Sequence, residues 1–219
     1  MANQELKKKR MLTYFIKATQ DIMSKEGITG VTLRKVADGA GYNIATLYNY
    51  FEDLDHVILY ASLKYLSLYN KKVENSLKGC SSAKEGFFIM WDVFCEISFQ
   101  YPDAFHQIFF NKHSGSLESI CTRYYELFPE ELPNTADTLY PIFSNYQLSA
   151  RNLMPLRKLF EEEHRSLEQI DTVSELIVSA YHHLLHTQLT QKKQTPENIK
   201  YYTEKMNHYI CFILNLYPQ

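Results

Sequence analysis

The stretch Thr32-Leu-Arg-Lys-Val-Ala-Asp-Gly-Ala-Gly-Tyr-Asn-Ile-Ala-Thr-Leu-Tyr-Asn-Tyr-Phe51 decides how the chain is read. Thr32 offers a side-chain oxygen to the open N–H groups of a short helix that runs through Ala40. Gly41 then supplies a left-handed residue at little steric cost, as a tight turn requires. A second short helix is expected from about Ile44 to Phe51. Ala37 is small enough for helices to touch, and Leu47 is an apolar anchor beyond the turn. With this spacing Leu33, Val36, Leu47 and Phe51 face inward. Arg34, Asn43, Ala45, Thr46, Tyr48, Asn49 and Tyr50 are left outside, and exposed Asn, Thr and Tyr on a short helix suit phosphate and base-edge contacts.

Upstream, apolar positions recur at helical spacing through Leu12, Phe15, Ile16, Thr19, Ile22 and Met23, which predicts a helix over about 6–26 that Gly27 stops. Gly27, Gly30, Gly39 and Gly41 read as punctuation between short elements. Charge follows the same division. Residues 1–51 carry Lys7, Lys8, Lys9, Arg10, Lys17, Lys25, Arg34 and Lys35 against Glu5, Asp21, Glu26 and Asp38, a balance of +4 in a chain whose net charge is −2. A basic head on an acidic body is the layout of a small nucleic-acid-binding module joined to something else.

The match extends beyond the turn. Gly27, Thr32-Leu33-Arg34, Val36-Ala37 and Ala40-Gly41, followed by Ala45-Thr46-Leu47-Tyr48 and Tyr50-Phe51, resemble the N-terminal signature of the TetR/AcrR family of bacterial transcriptional regulators. The resemblance covers roughly residues 10–60. It implies a three-helix DNA-binding domain, a connecting fourth helix, and a variable ligand-binding domain whose last two helices form a dimer. It also implies that Thr32, Thr46 and Tyr48 hold phosphates, and that Asn43, Ala45, Asn49 and Tyr50 meet bases. Arg34 would reach either, and Lys7 to Arg10 would bind the DNA backbone electrostatically. In one place the chain departs from the pattern. The family commonly has a Lys at the start of the fourth helix, where this chain has Leu54 among Glu52, Asp53 and Asp55, so one phosphate contact per subunit is missing.

The remaining sequence reads as all-α. There are seven Gly and seven Pro, every Pro lies after residue 101, and no Gly lies after 115. Asp53 is placed to cap a fourth helix that runs toward Leu77, with Asp55 in its first turn. Ser82-Ala83-Lys84-Glu85 is a capping box for a helix to about Tyr101, and Thr172-Val173-Ser174-Glu175 is another for a helix to about residue 190. Helices are expected near 103–112, 116–128 and 155–168, with loops around Pro129, Pro133 and Pro141. Thr195-Pro196 opens the final helix. The division expected is a helix-turn-helix DNA-binding domain over 1–52 and a helical ligand-binding and dimerisation domain over 53–219.

Of the chain's 17 Tyr, 13 Phe and one Trp, many crowd its middle, from Phe87 through Tyr140, Phe143 and Tyr146. Such density suits a roomy apolar cavity, with Trp91, Phe94, Cys95, Phe105 and Tyr124 as expected lining for a hydrophobic or planar small-molecule effector. The last two helices present broad apolar faces through Leu176, Ile177, Tyr181 and Leu184, and through Tyr202, Met206, Tyr209 and Ile213. Paired across a two-fold axis they would make a four-helix bundle and a homodimer. Two recognition helices then need to sit about one DNA turn apart, roughly 34–36 Å, to engage a palindromic double-stranded operator.

Other chemistries find little support. Cys80, Cys95, Cys121 and Cys211 have neither zinc-site nor disulfide spacing and read as reduced thiols of a cytoplasmic protein. The N-terminus lacks the apolar run of a signal peptide, and no stretch is long enough to span a membrane. His182 and His186 share a helical face, but His183 stands where a zincin has its general-base Glu. Glu161 with His164, even with Asp103 and His106, falls short of a di-iron set. No cofactor, metal or enzymatic activity is expected. Two alternatives to a regulator remain, a helical protein-binding adaptor without DNA binding and a metal-binding helical enzyme.

Overall fold

A computed structural model describes residues 2–132, 147–191 and 193–216. The regular structure among them is helical throughout. The helices are α1 (Ala2–Glu26), α2 (Leu33–Ala40), α3 (Ile44–Tyr48), α4 (Leu54–Ser76), α5 (Ala83–Gln100), α6 (Pro102–Phe110), α7 (Leu117–Leu127), α8 (Leu148–Glu162), α9 (Ile170–Leu189) and α10 (Pro196–Leu216), with single 3-10 turns at Ile28–Gly30, Ser114–Ser116 and Pro129–Glu131. The expected loops around Pro133 and Pro141, and Tyr140, Phe143 and Tyr146, lie outside the described residues.

The chain forms two compact units that do not follow its linear order. The first joins Met1–Leu66 to Asp103–Leu132, and the second joins Ser67–Pro102 to the described residues after Pro133. In the first unit, α2 starts at an N-cap Thr32 whose side chain accepts from Lys35 N at 3.2 Å. It ends at Gly41 (φ 79°), with Tyr42 N bonded to Ala37 O at 2.9 Å. This is a left-handed closure that satisfies the carbonyls at the end of the helix. Val36, Ala37, Leu47 and Phe51 are buried, as are Leu12, Phe15 and Ile16 of α1, and Leu33 is half-buried. Gly39, read as punctuation, lies inside α2 instead. A Cβ there would stand 3.3 Å from Ala18 Cβ, so Gly39 serves the close approach of α1 and α2. On the other side of α1, the amide of Gln20 donates to Ala61 O (3.4 Å) and Tyr124 Oη (3.3 Å), and Tyr124 in turn donates to Glu131 at 2.6 Å.

The second unit is built around α5. Ser82 caps it by accepting from Glu85 N at 3.1 Å, while the Glu85 carboxylate reaches back to Ser81 N (2.9 Å) and Ser81 Oγ (2.7 Å). The reciprocal arm of the box thus falls one residue early. Trp91, Phe94 and Phe99 of α5 surround Tyr181 of α9 at ring separations of 5.7, 4.9 and 6.0 Å.

Three boundaries differ from expectation. Helix α3 stops at Tyr48 rather than Phe51, because Tyr50 N and Phe51 N both turn back onto Leu47 O. Helix α8 runs over Leu148–Glu162 instead of 155–168 and carries Pro155 within it. Burial of Arg151 and Asn152 holds the turn before that proline, and Arg151 N still bonds Gln147 O at 2.9 Å. A left-handed His164 (φ 54°) with Arg165 N on Phe160 O at 2.8 Å then ends the helix. Helix α9 begins at Ile170, so Thr172 does not cap it, and Ser174 turns inward to bond Asn152.

Nothing lies within 4 Å of a Cβ placed on Gly41, so the cost of a side chain there is conformational alone. Gly41→Ala is expected to destabilise the protein by about 1 kcal/mol, with Gly41→Asn costing less, as read by chemical denaturation. An unchanged midpoint for the Ala variant would mean that the turn is not held left-handed.

Candidate nucleic-acid interface and ligand cleft

The α2–α3 hairpin presents most of the expected outer set to solvent. Thr32, Arg34, Asn43, Ala45, Tyr48 and Asn49 are exposed, and Thr46 and Tyr50 are half-buried. The Arg34 side chain is 85% exposed and only 3.8 Å from Asp38, so it is loosely held. Asn43 has a local duty, since its Oδ1 accepts from Thr46 N (2.8 Å) and Thr46 Oγ1 (3.0 Å) and thereby caps α3. The ring of Tyr50 leans on Phe15 at 6.2 Å. In the basic arm, Lys9 stands 3.9 Å from Glu126, and Glu5 pairs with Arg123 at 2.8 Å. Lys35 is tied to Glu26 and to Gly30 O. The sequence reading passed over Tyr42 and Ile44, both exposed beside the turn, and Tyr14, which stacks on Tyr42 at 6.4 Å. Their only sequence signal was adjacency to Gly41 and, for Tyr14, a place on the outer face of α1.

The expected ligand residues separate. Trp91 and Phe94 line a cleft in the second unit together with Tyr69, Met90, Leu148, Arg151, Asn152 and Pro155. The cleft is narrow, with a cavity volume of about 30 Å³, and is partly open to solvent. Cys95 is buried on the same helix but is not in that lining, and burial raises its thiol pKa well above the usual range. Phe105 and Tyr124 belong to the core of the first unit and do not join Trp91. Within the cleft wall, Trp91 Nε1 donates to Asn152 Oδ1 at 3.0 Å, and Asn152 Nδ2 donates to Ser174 Oγ at 2.8 Å.

The expected dimer residues divide as well. Ile177, Tyr181, Leu184 and Met206 are fully buried within the unit, where α5 and its neighbours already cover them, so they present no surface to a second chain. Leu176 is exposed, and Tyr202, Tyr209 and Ile213 are half-buried. Beside them stand Tyr201, Phe212 and Leu216, all more than half exposed, which the sequence reading did not select. His182 and His186 are exposed. Among the described residues no group of His, Cys, Asp and Glu is arranged to hold a metal ion.

Residues 15–60, which contain this hairpin, match the model of the bacterial regulatory proteins of the tetR family. That segment of the chain is a tetR-family N-terminal domain. Two solved structures share the chain's fold over almost the full length. One is a candidate transcriptional regulator from Pseudomonas aeruginosa PAO1, 16% identical, covering 92% of this chain and 89% of that one with a TM-score of 0.50. The other is a candidate TetR-family transcriptional regulator from Mesorhizobium loti MAFF303099, 13% identical, covering 94% and 97% with a TM-score of 0.51. At these identities the likeness is one of fold. No curated protein matches the chain significantly. Among the described residues no helix is long and apolar enough to cross a membrane.

Following the TetR-family hairpin, the start of α4 departs from the family pattern at Leu54 and uses its acids in another way. Asp53 Oδ1 caps the helix by accepting from His56 N at 2.9 Å. The same carboxylate meets Lys112 Nζ at 2.8 Å and His113 Nε2 at 3.0 Å, and Lys112 also reaches Asp55 at 3.3 Å. His56 and His113 stack with ring centroids 4.9 Å apart, and His56 Nδ1 accepts from Glu52 N at 3.1 Å. The acids beside Leu54 are therefore partly neutralised by the segment after α6.

Burial, and next the charge of His113, hold the His56 pKa below its ordinary 6.5 against the raising effect of Glu52 and Asp53. Burial of Asp53 favours its protonated form, but Lys112, the His56 N–H and His113 outweigh it and leave the carboxyl below the usual carboxylate range. Both groups bind a proton more readily in the unfolded chain, so acid destabilises the fold in two steps: the His56 contribution is lost below about pH 6.5 and the Asp53 contribution below about pH 4. His56→Gln keeps an acceptor for Glu52 N and is expected to flatten the fall in Tm between about pH 7.5 and 5 while sparing the lower step. An equally steep upper step in the variant would rule His56 out as its source.

Proposed function

We propose that this chain is a homodimeric repressor that binds a palindromic operator through residues 1–52 and releases it when a small hydrophobic or aromatic effector enters the domain formed by residues 53–219. The observation that carries the reading is the exposed row Thr32, Arg34, Ala45, Tyr48 and Asn49 on a hairpin whose inner face, Val36, Ala37 and Leu47, is fully committed to the core. Apart from Thr32, whose side chain also caps α2, these outer side chains do little for the fold, so their chemistry is available to DNA. In this reading Thr32, Thr46 and Tyr48 contact phosphates, Asn49 and Ala45 meet bases, and Arg34 reaches either. Asn43 contributes chiefly by fixing the start of α3.

The second copy is expected to cover the outer face of α9 and α10, through Leu176, Tyr201, Tyr202, Tyr209, Phe212, Ile213 and Leu216. Apolar side chains exposed as a stripe along terminal helices favour burial against an identical stripe, and a two-fold axis brings the two together. The Trp91–Phe94 cleft is the effector site. An effector that stabilises a different spacing of the two hairpins must weaken operator binding by its differential affinity for the two states.

Genomic DNA captured by the purified protein at moderate salt tests the central reading. One or a few palindromic sites should be enriched, and the Tyr48→Ala, Asn49→Ala variant should lose about 10- to 100-fold in affinity for them with its melting temperature unchanged. No enrichment over the variant would remove the regulator reading in favour of a protein-binding adaptor. Phe212→Glu should turn the dimer into a monomer by light scattering and lower operator affinity with it. A dimer that survives would move the interface elsewhere. Leu54→Lys should raise the salt slope of operator binding by about 0.9 per subunit.

A further inference from the structure

From Tyr42 to Phe51 the chain carries no charged side chain. Leu47 is the buried anchor of α3, while Ile44, Ala45, Tyr48 and Asn49 are exposed. Asn49 follows the last turn with its backbone still helical (φ −71°, ψ −14°). Residues three and four apart are neighbours on a helix, so Ile44 lies beside Tyr48, and Ala45 beside Tyr48 and Asn49. Thr46 is half-buried, and its hydroxyl donates to Asn43 Oδ1 at 3.0 Å. The hairpin's cations, Arg34 and Lys35, belong to α2, where Lys35 is tied to Glu26 and Gly30 O and Arg34 stands 3.8 Å from Asp38. The outer face of α3 therefore offers two apolar side chains, a phenol and one carboxamide.

In the major groove guanine presents O6 and N7, two acceptors that favour arginine or lysine, and cytosine presents an N4–H donor that favours a carboxylate. Neither type of side chain stands on this face. The Asn49 carboxamide matches adenine instead, where N6–H donates to Oδ1 while Nδ2 donates to N7. Against guanine the amide oxygen would meet a second acceptor. Among the described residues the Asn49 side chain makes no hydrogen bond, unlike Asn43, whose Oδ1 caps α3. The side chains of Ile44 and Ala45 have no hydrogen-bonding atom and suit the 5-methyl group that thymine alone presents. Ile44 is 37% exposed, so a methyl group laid on it removes further apolar surface from water.

We propose that α3 reads a core of A·T pairs in each operator half-site: Asn49 forks onto an adenine, and Ile44 and Ala45 rest on thymine methyl groups. Arg34, on α2, is left for a phosphate or for a base outside that core. This rests on the reading of the hairpin as the operator-binding surface and names the base chemistry that the surface selects. Thymine is then told from uracil, which lacks only the methyl group. Adenine is told from 7-deazaadenine, which keeps the N6 donor but loses the N7 acceptor. Sensitivity to these two single-group changes is the signature of the arrangement, because phosphate contacts are blind to both.

Full-length protein would first select its site from randomised duplex DNA, and the enriched half-site should hold A·T pairs at its core. Binding to that operator would then be followed by fluorescence anisotropy with modified duplexes. Uracil in place of the core thymines should weaken binding about three- to five-fold per methyl group lost. Replacement of the core adenines by 7-deazaadenine should weaken it about five-fold or more per half-site. Ile44→Ser should shrink the uracil penalty and Asn49→Ala the 7-deazaadenine penalty, each leaving the other in place. The modified duplexes are read with the unaltered protein, so a misfolded variant leaves the measurement intact. A selected core of G·C pairs, or an A·T core indifferent to uracil or to 7-deazaadenine, overturns the base assignment while leaving the hairpin as a DNA-binding surface. If no sequence is enriched over bulk DNA, the operator-binding reading falls, and the base assignment falls with it.

Discussion

The α2–α3 hairpin depends on the ring of Phe15. Helix α3 has only five residues, far too few to persist alone, since an isolated helix must recover its nucleation cost over many more. Phe15 is fully buried on α1 and meets Tyr42 before α3 (5.7 Å), and Tyr50 (6.2 Å) and Phe51 (6.1 Å) after it. One side chain thus gathers both ends of the short helix. The left-handed Gly41 sets its direction and the Asn43 cap starts it. The side chains of Ala45, Tyr48 and Asn49 stay exposed on its outer face.

The same economy governs the start of α4. The side chains that replace the family's usual lysine neighbourhood are acidic, yet they form a joint. Asp53 serves as a helix cap and as the acceptor for Lys112 and His113, while the two imidazoles stack beside it. Helix caps and charge-assisted bonds contribute on the order of 1 kcal/mol each, so a joint of this kind holds firmly at neutral pH and weakens as Asp53 and His56 gain protons. The segment from Lys112 to His113 is thereby bound to Asp53, just after the hairpin.

In the second unit the polar groups of the core decide the architecture. Trp91, Asn152 and Ser174 link α5, α8 and α9 through two buried hydrogen bonds, and Arg151 ties α8 to Asn70 of α4. Apolar contacts alone would allow these helices to slide by a residue at small cost, whereas a slid register would strand a buried amide. The cleft lies where that network meets the apolar face of α5, which is why a charged group and a tryptophan share one wall.

Much of the plan was legible in the sequence. The helical periods, the Thr32, Asp53 and Ser82 caps, the Gly41 turn and the inward set Val36, Leu47 and Phe51 are local matters, fixed by backbone geometry and by the alternation of polar and apolar residues within one or two turns. The family signature over Gly27–Phe51 follows from the same local rules. What sequence spacing could not decide was partnership between distant segments. Lys112 and His113 clamp Asp53 from 60 residues away, as the His113–Asp53 bond shows. Phe105 and Tyr124, aromatic like Trp91, went to the other unit, because density of rings along a chain does not determine which core each ring joins. Tyr181 and Met206 turned inward while Phe212 and Leu216 stayed out, since a broad apolar face specifies burial without naming what covers it. Arg151 sits inside, where Asn70 and Tyr69 are among the groups that meet it. Only tertiary packing settles such partnerships, since the free energy of a buried polar or apolar group depends on its neighbours in space.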